Sequence, residues 1–259
     1  MEYFDCNTFI GLPTNAMLRP AKTAKDLIAQ MDRSGIEKAL VWHVAQKDFS
    51  ATAGNGMLAE AIAKHKDRLV GCWSIITSQT GEMPASKKFF AKMASAGVKA
   101  LRAFPEAHRY LLRKEVFGEL FEAMEESKVP LLLAMKSGVQ VNWNETYDLL
   151  EDFPKLTVIL CDVGLWGPDR YIRPLLDKYP NVYVELSEYI VDGGIEGICG
   201  RYGPGRLLFG TGFPALDHGG PMLAIKHAKV PEKSKEMIAA GNMEKILGGV
   251  KLGGKGGRS

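Results

Sequence analysis

Apolar residues in this chain fall into short unbroken runs, set apart by longer stretches of mixed character. The runs lie at 3–6, 38–42, 69–73, 98–102, 130–134, 157–161, 182–186 and 206–210. Most are continuous rather than alternating, as expected of strands covered on both faces. Between them, apolar positions recur at helical spacing. Leu27, Ile28 and Met31 form one stripe within 23–34, which Gly35 ends. Val116, Phe117, Leu120, Phe121 and Met124 form another within 115–127. Further helices are predicted over 55–65, 86–96, 168–179, 231–240 and 242–247, with Pro174 kinking the 168–179 helix. Strand-then-helix units joined by short connections predict an α/β fold, a single (β/α)8 TIM barrel over residues 1–247. The Gly-rich, basic stretch 248–259 has little apolar surface to offset its ordering entropy and reads as a disordered tail.

Composition narrows the function classes. The chain has 259 residues, 46% of them hydrophobic, enough for one barrel of about 250 residues. Its 33 basic and 30 acidic residues give a net charge of +3, without the clustered basic excess of a nucleic-acid or membrane-surface protein. No apolar run reaches membrane-spanning length. The first strand run starts almost at Met1 and leaves no room for a secretion signal. Cys6, Cys72, Cys161 and Cys199 form no Cys-x-x-Cys pair and read as free thiols, those at 6 and 161 as core residues. These features imply a cytoplasmic protein whose partner is a small molecule. Self-association into a homo-oligomer is compatible with the sequence.

Strand C-termini face the active-site end of such a barrel. They collect Asn7, His43, Trp73, Arg102, Lys136, Asp162, Glu185, Ser187 and Thr211. Arg102 suits a carboxylate, which a guanidinium binds bidentately; a salt bridge to Glu185 or Asp162 is the alternative. His43 reads either as a general base or as a strand-end cap. Lys136 and Asp162 sit on neighbouring strands, as an acid–base pair or as a structural ion pair. Asn7, Trp73 and Glu185 complete the expected substrate contacts. Trp143 and Trp166 either wall a pocket or pack loop on helix, and His218 reads as a loop histidine. Neither a dinucleotide fingerprint nor a nucleophile elbow is present, so no organic cofactor is expected.

The segment Arg206-Leu207-Leu208-Phe209-Gly210-Thr211-Gly212-Phe213-Pro214 resembles the last strand and turn of the amidohydrolase-related family, the amidohydrolase 2 group of metal-dependent hydrolases and decarboxylases. Lys66-Asp67-Arg68-Leu69-Val70-Gly71 and Tyr202-Gly203-Pro204-Gly205-Arg206 are similar to other passages of that family. The resemblance implies the barrel, a small carboxylated substrate, and hydrolysis or decarboxylation. It also implies metal ligands at the positions held here by Asn7, Phe9, Ala134, Asp162 and Gly212. A catalytic zinc needs about three protein ligands, and Phe9, Ala134 and Gly212 offer none. No metal is therefore expected, with Lys136 taking the cationic role opposite Arg102 and Asp162 or His43 acting as base. A barrel without catalysis, binding a ligand or partner, is the alternative.

Overall fold

The computed structural model describes residues 1–135, 141–164 and 167–252. Lys136, Trp166 and residues 253–259 of the tail lie outside the described residues. Strand and helix alternate: β1 (Phe4–Ile10), α1 (Ala24–Ser34), β2 (Lys38–His43), α2 (Ala45–Asp48), α3 (Ala51–Ile62), β3 (Leu69–Ser74), α4 (Ser86–Ala96) and β4 (Val98–Arg102). There follow α5 (Pro105–His108), α6 (Lys114–Ser127), β5 (Leu131–Ala134), α7 (Trp143–Asp152), β6 (Val158–Cys161), α8 (Asp169–Lys178) and β7 (Val182–Glu185). The chain continues with α9 (Gly194–Tyr202), β8 (Leu207–Leu208), α10 (Gly219–His227), α11 (Glu232–Glu236) and α12 (Asn242–Gly248). Among the described residues, eight strands form one parallel sheet in chain order. The chain beyond β8 returns to the first strand. Cys6 N donates to Phe209 O at 3.0 Å, Gly212 N to Asn7 O at 2.8 Å and Phe9 N to Phe213 O at 3.0 Å. These bonds close the ring, as the sequence predicts.

Alternation along each strand splits the apolar residues into two cores. Leu40, Trp42, Cys72, Ala100, Leu132, Ile159, Cys161 and Leu208 fill the barrel, whose lower end is plugged by Met243, Ile246 and Leu247 of α12. Ala39, Val41, Trp73, Leu101, Leu133, Leu160, Val184 and Leu207 face the helices. This parity decides which strand-end residues reach the site, because residues two apart share a face.

Helix 86–96 and strand 98–102 lie where the sequence places them. Five helices were not anticipated: the single turns α2 and α5, and α7, α9 and α10. α9 and α10 carry three and two glycines respectively, and α7 has only a short apolar stripe at Leu149 and Leu150. The first strand run extends past Cys6 to Ile10, with a register shift between Asp5 and Thr8. Pairing across the ring closure carries the backbone through polar residues that interrupt the apolar pattern. At the other end, Lys251 N donates to Ser127 O, and Val250 and Leu252 pack on the outer core.

Gly210 sits where the ring closes. A Cβ there would lie 2.3 Å from Glu185 Oε1 and 2.5 Å from its Cγ. Glu185 is fully buried and cannot swing aside. Gly210→Ala is therefore expected to lower stability by roughly 1–3 kcal/mol, the usual cost of overpacking, read as a lower urea midpoint with an unchanged denaturant slope.

Candidate active site

Arg102 ends β4 with the inward parity of Ala100 and is only 1% exposed. Its Nη1 donates to Asn7 Oδ1 at 2.8 Å and its Nη2 to Asp162 Oδ2 at 3.2 Å. The guanidinium carbon lies 5.1 Å from the Trp42 ring and 5.6 Å from that of Phe104, within cation–π range of both. Asn7 is turned into the barrel beside the irregular register of β1. Its amide donates to Asp162 Oδ1 at 2.8 Å and to Glu185 Oε2 at 3.1 Å. Asp162 follows β6 in the left-handed region, at φ 50°, which aspartate tolerates better than most residues. Its backbone N–H donates to Glu185 Oε2 at 3.3 Å. Ser187 Oγ lies 2.8 Å from Glu185 Oε2 and 3.5 Å from Asp162 Oδ1. Five side chains from four places in the barrel thus share one polar network.

Burial dominates its electrostatics. It pushes the Glu185 carboxyl up to about 8, helped by repulsion from Asp162 and opposed by bonds from Ser187. It pushes Asp5 up to about 7, against bonds from Thr211 and the Asn7 N–H. Asp5 accepts from the Thr211 backbone and hydroxyl and so ties β1 to the turn after β8.

Above this network opens a cavity of ≈ 340 Å³ whose lining includes Phe9, Met17, Trp42, Lys47, Arg102 and Asp162. Two donors beneath it are unanswered. Arg102 Nε and Trp42 Nε1 are buried and have no hydrogen-bond acceptor among the described residues. A buried donor left without an acceptor costs about 1–3 kcal/mol. The wall carries both signs, with Lys47 and Arg102 against Asp48, Asp162 and Glu188. Asp48 is engaged by Thr14, whose N–H and hydroxyl both reach Oδ2 at 3.1 Å.

A family model for amidohydrolases matches residues 12–249. The chain belongs to the amidohydrolase family. No curated protein sequence matches it. Among solved structures, the amidohydrolase barrel is similar to 2,6-dihydroxybenzoate decarboxylase from Rhizobium: TM-score 0.75, 14% identity, 95% of this chain and 98% of that one covered. It is also similar to 5-carboxyvanillate decarboxylase from Novosphingobium aromaticivorans, solved with manganese and 4-hydroxy-3-methoxy-5-nitrobenzoic acid: TM-score 0.69, 18% identity, 95% and 96% covered. An uncharacterized TIM-barrel protein from Bordetella bronchiseptica gives 0.72 at 16% identity, covering 96% and 99%. At such identities the likeness speaks to the fold.

The side chains of this amidohydrolase do not fit a divalent metal at the mouth. Of the positions where the resemblance implies ligands, Phe9 packs on Trp42 at 4.7 Å between ring centres. The side chains at Ala134 and Gly212 offer no ligating atom, Asn7 Oδ1 and Asp162 Oδ2 are engaged by a fixed cation, and Asp162 Oδ1 accepts from Asn7. Among the described residues, no group of three or more His, Cys, Asp or Glu side chains could hold a metal ion.

The structure brings Asn7, Arg102, Asp162, Glu185 and Ser187 together. His43 has the outward parity of Val41, and its Nδ1 accepts from Ala45 N at 3.1 Å, as the strand-end cap would; burial lowers its pKa. Trp73 also points outward, 5.5 Å from the Phe89 ring and away from the mouth. Asp162 pairs with Arg102; Lys136, read as its partner, lies outside the described residues, as does Trp166. Trp143 stacks on Tyr171 at 4.9 Å and His218 on Phe213 at 4.2 Å. Sequence reasoning missed Trp42, Lys47 and Asp5. For Trp42 the signal was there, since it shares the parity of inward Leu40.

Asp5 and Glu185 hold more protons folded than unfolded between their ordinary values, 3.8 and 4.5, and their raised ones. Their contribution to stability is therefore fully present at low pH. It falls as pH rises through about 7 for Asp5 and about 8 for Glu185. In Asp5→Asn the fall between pH 4 and pH 8 is expected to shrink by roughly 3 kcal/mol, measured by urea unfolding at each pH.

Removing the guanidinium strands Asp162 beside Glu185. Arg102→Met is expected to cost roughly 3 kcal/mol, and Arg102→Met with Asp162→Asn to regain part of that loss, read from the same denaturation curves.

Proposed function

We propose that this amidohydrolase is a decarboxylase of a small hydroxylated aromatic acid and works without a metal. The observation that carries the reading is a cavity set over the buried Arg102–Asp162 pair, walled by the rings of Phe9 and Trp42 and bearing both signs of charge. The Lys47 ammonium on its wall suits a ligand bearing acceptor oxygens, and the rings of Phe9 and Trp42 suit a flat apolar body. The opposite signs on the wall suit a molecule with both an acid group and a hydroxyl. The acid meets Lys47, and the hydroxyl lies beside Asp162 and Arg102. Similarity to decarboxylases whose names and bound molecules are carboxylated aromatics supports the substrate class.

Decarboxylation is favoured over hydrolysis because it needs no activated water. Asp162 takes the substrate's hydroxyl proton and returns it to the ring carbon that bears the carboxylate. The carbon–carbon bond breaks, carbon dioxide leaves, and the electron pair restores the aromatic ring with its charge on the hydroxyl oxygen. That oxygen takes a proton to give the neutral product. Charge moves from the carboxylate to the ring oxygen, so the fixed positive charge of Arg102 assists most where it faces that oxygen in the transition state. Glu185, protonated at neutral pH, stands behind Asp162 with the Ser187 hydroxyl between them and supplies the last proton. A barrel that only binds is the second reading. The two bonds that hold Asp162 in place favour it, since the carboxylate would have to leave them to reach a substrate proton.

Purified protein treated with chelator is expected to release carbon dioxide from 2,6-dihydroxybenzoate or a related hydroxybenzoate, with added manganese giving no increase. Asp162→Asn should cut turnover at least 100-fold while keeping ligand-induced thermal stabilisation, and Lys47→Met should weaken that stabilisation. Activity lost on chelation and restored by manganese would end the metal-free reading. Stabilisation without carbon dioxide release would put binding alone ahead.

A further inference from the structure

The chain between β1 and α1 crosses the barrel mouth as a strap. Pro13, Thr14, Asn15 and Met17 line the cavity above Arg102. The strap is fixed at its base, where Gly11 N donates to Ala21 O at 2.9 Å and both residues are buried. Gly11 has φ 101°, and a Cβ there would lie 2.7 Å from Val44 Cγ1 and 2.8 Å from His43 Cε1. The near end is thus pressed against the end of β2, and residues 12–20 form a loop whose ends meet.

Beyond its base little holds the strap. Among the described residues, 12–20 make no backbone–backbone hydrogen bond. Leu12 and Leu18 are exposed, Leu18 to 94%. Met17 is half-buried and packs on the inner core. The hydrogen bonds that tie the strap down come from Thr14, whose N–H and hydroxyl each reach Asp48 Oδ2 at 3.1 Å in an exposed position. Segments with few buried apolar contacts and few hydrogen bonds open at low free-energy cost. Asp48 ends α2 next to Lys47, so this latch sits beside the ammonium on the cavity wall.

We propose that residues 12–20 are a gate over the mouth. It turns about the Gly11–Ala21 base, the Thr14–Asp48 bonds latch it shut, and Met17 is the side chain it lowers onto the bound ligand. The ligand is the small aromatic acid of the reading above, on which this inference rests, whether or not it is decarboxylated. A shut gate excludes water from the cavity, which strengthens the charge interactions inside it. Entry and exit then wait on opening.

Opening is read first without ligand. In Met17→Cys the rate of alkylation by iodoacetamide at position 17 reports how often the strap lifts. Cys6, Cys72 and Cys161 are buried, and half-buried Cys199 serves as the internal reference. Adding Thr14→Val, which removes one latch bond, should speed alkylation about 3-fold, and adding Asp48→Ala, which removes both, about 10-fold. The second measurement uses 2,6-dihydroxybenzoate, followed by its own fluorescence. Thr14 Oγ1 lies 3.1 Å from Asp48 Oδ2, so cysteines at the two positions can be joined. In Thr14→Cys with Asp48→Cys, oxidation should slow association at least 100-fold, and reduction should restore it. Alkylation rates that ignore the latch variants, or an oxidised protein that takes up the acid at the reduced rate, overturn the gate. Alkylation that follows the latch in a protein that binds no acid supports the gate and rejects the aromatic-acid reading.

Discussion

Arg102 is a guanidinium buried to 1% exposure, and the mouth of the barrel is organised around it. Burying a cation is costly unless acceptors surround it. Here they come from three distant points of the chain. Asn7 arrives from β1, Asp162 from the end of β6, and Glu185 from β7 by way of Asn7. Trp42 and Phe104 cover the guanidinium faces. Each strand end must therefore stop at the right height, and the register shift in β1 and the left-handed backbone of Asp162 both serve that demand.

A fixed guanidinium limits the chemistry that the mouth can host. It is permanently charged, offers hydrogen bonds in one plane, and cannot ionise a water for attack. What it can do is hold an anion and follow charge as it moves across a bound molecule. Behind it, burial raises the pKa of the Glu185 carboxyl and so disfavours a second negative charge.

The barrel was legible in the sequence because both of its periods are strong. Strands buried on two faces give continuous apolar runs, and helices such as 86–96 show a clear stripe. α7, α9 and α10 escaped because short stripes and glycines blur the helical period. In the site, reading strand ends found Asn7, Arg102, Asp162 and Glu185. The same reading could not separate them from His43 and Trp73, which lie at equal heights with side chains on the outer face. Inward or outward direction follows from the two-residue alternation, which also selects Trp42. The weight carried by Asn7 was hidden for another reason. It lies where β1 departs from regular pairing, and such irregularities depend on a strand far away in sequence.

The ring closure has a consequence for how the molecule comes into being. Asp5 and Thr211, whose bond joins the two ends of the sheet, are 206 residues apart. At ribosomal speeds of about 5–20 residues per second, β1 waits on the order of 10–40 seconds for that partner to be made. During this interval Asp5 and Asn7 stand in water on an unpaired edge. The mouth thus takes its final shape only after Thr211 has been made.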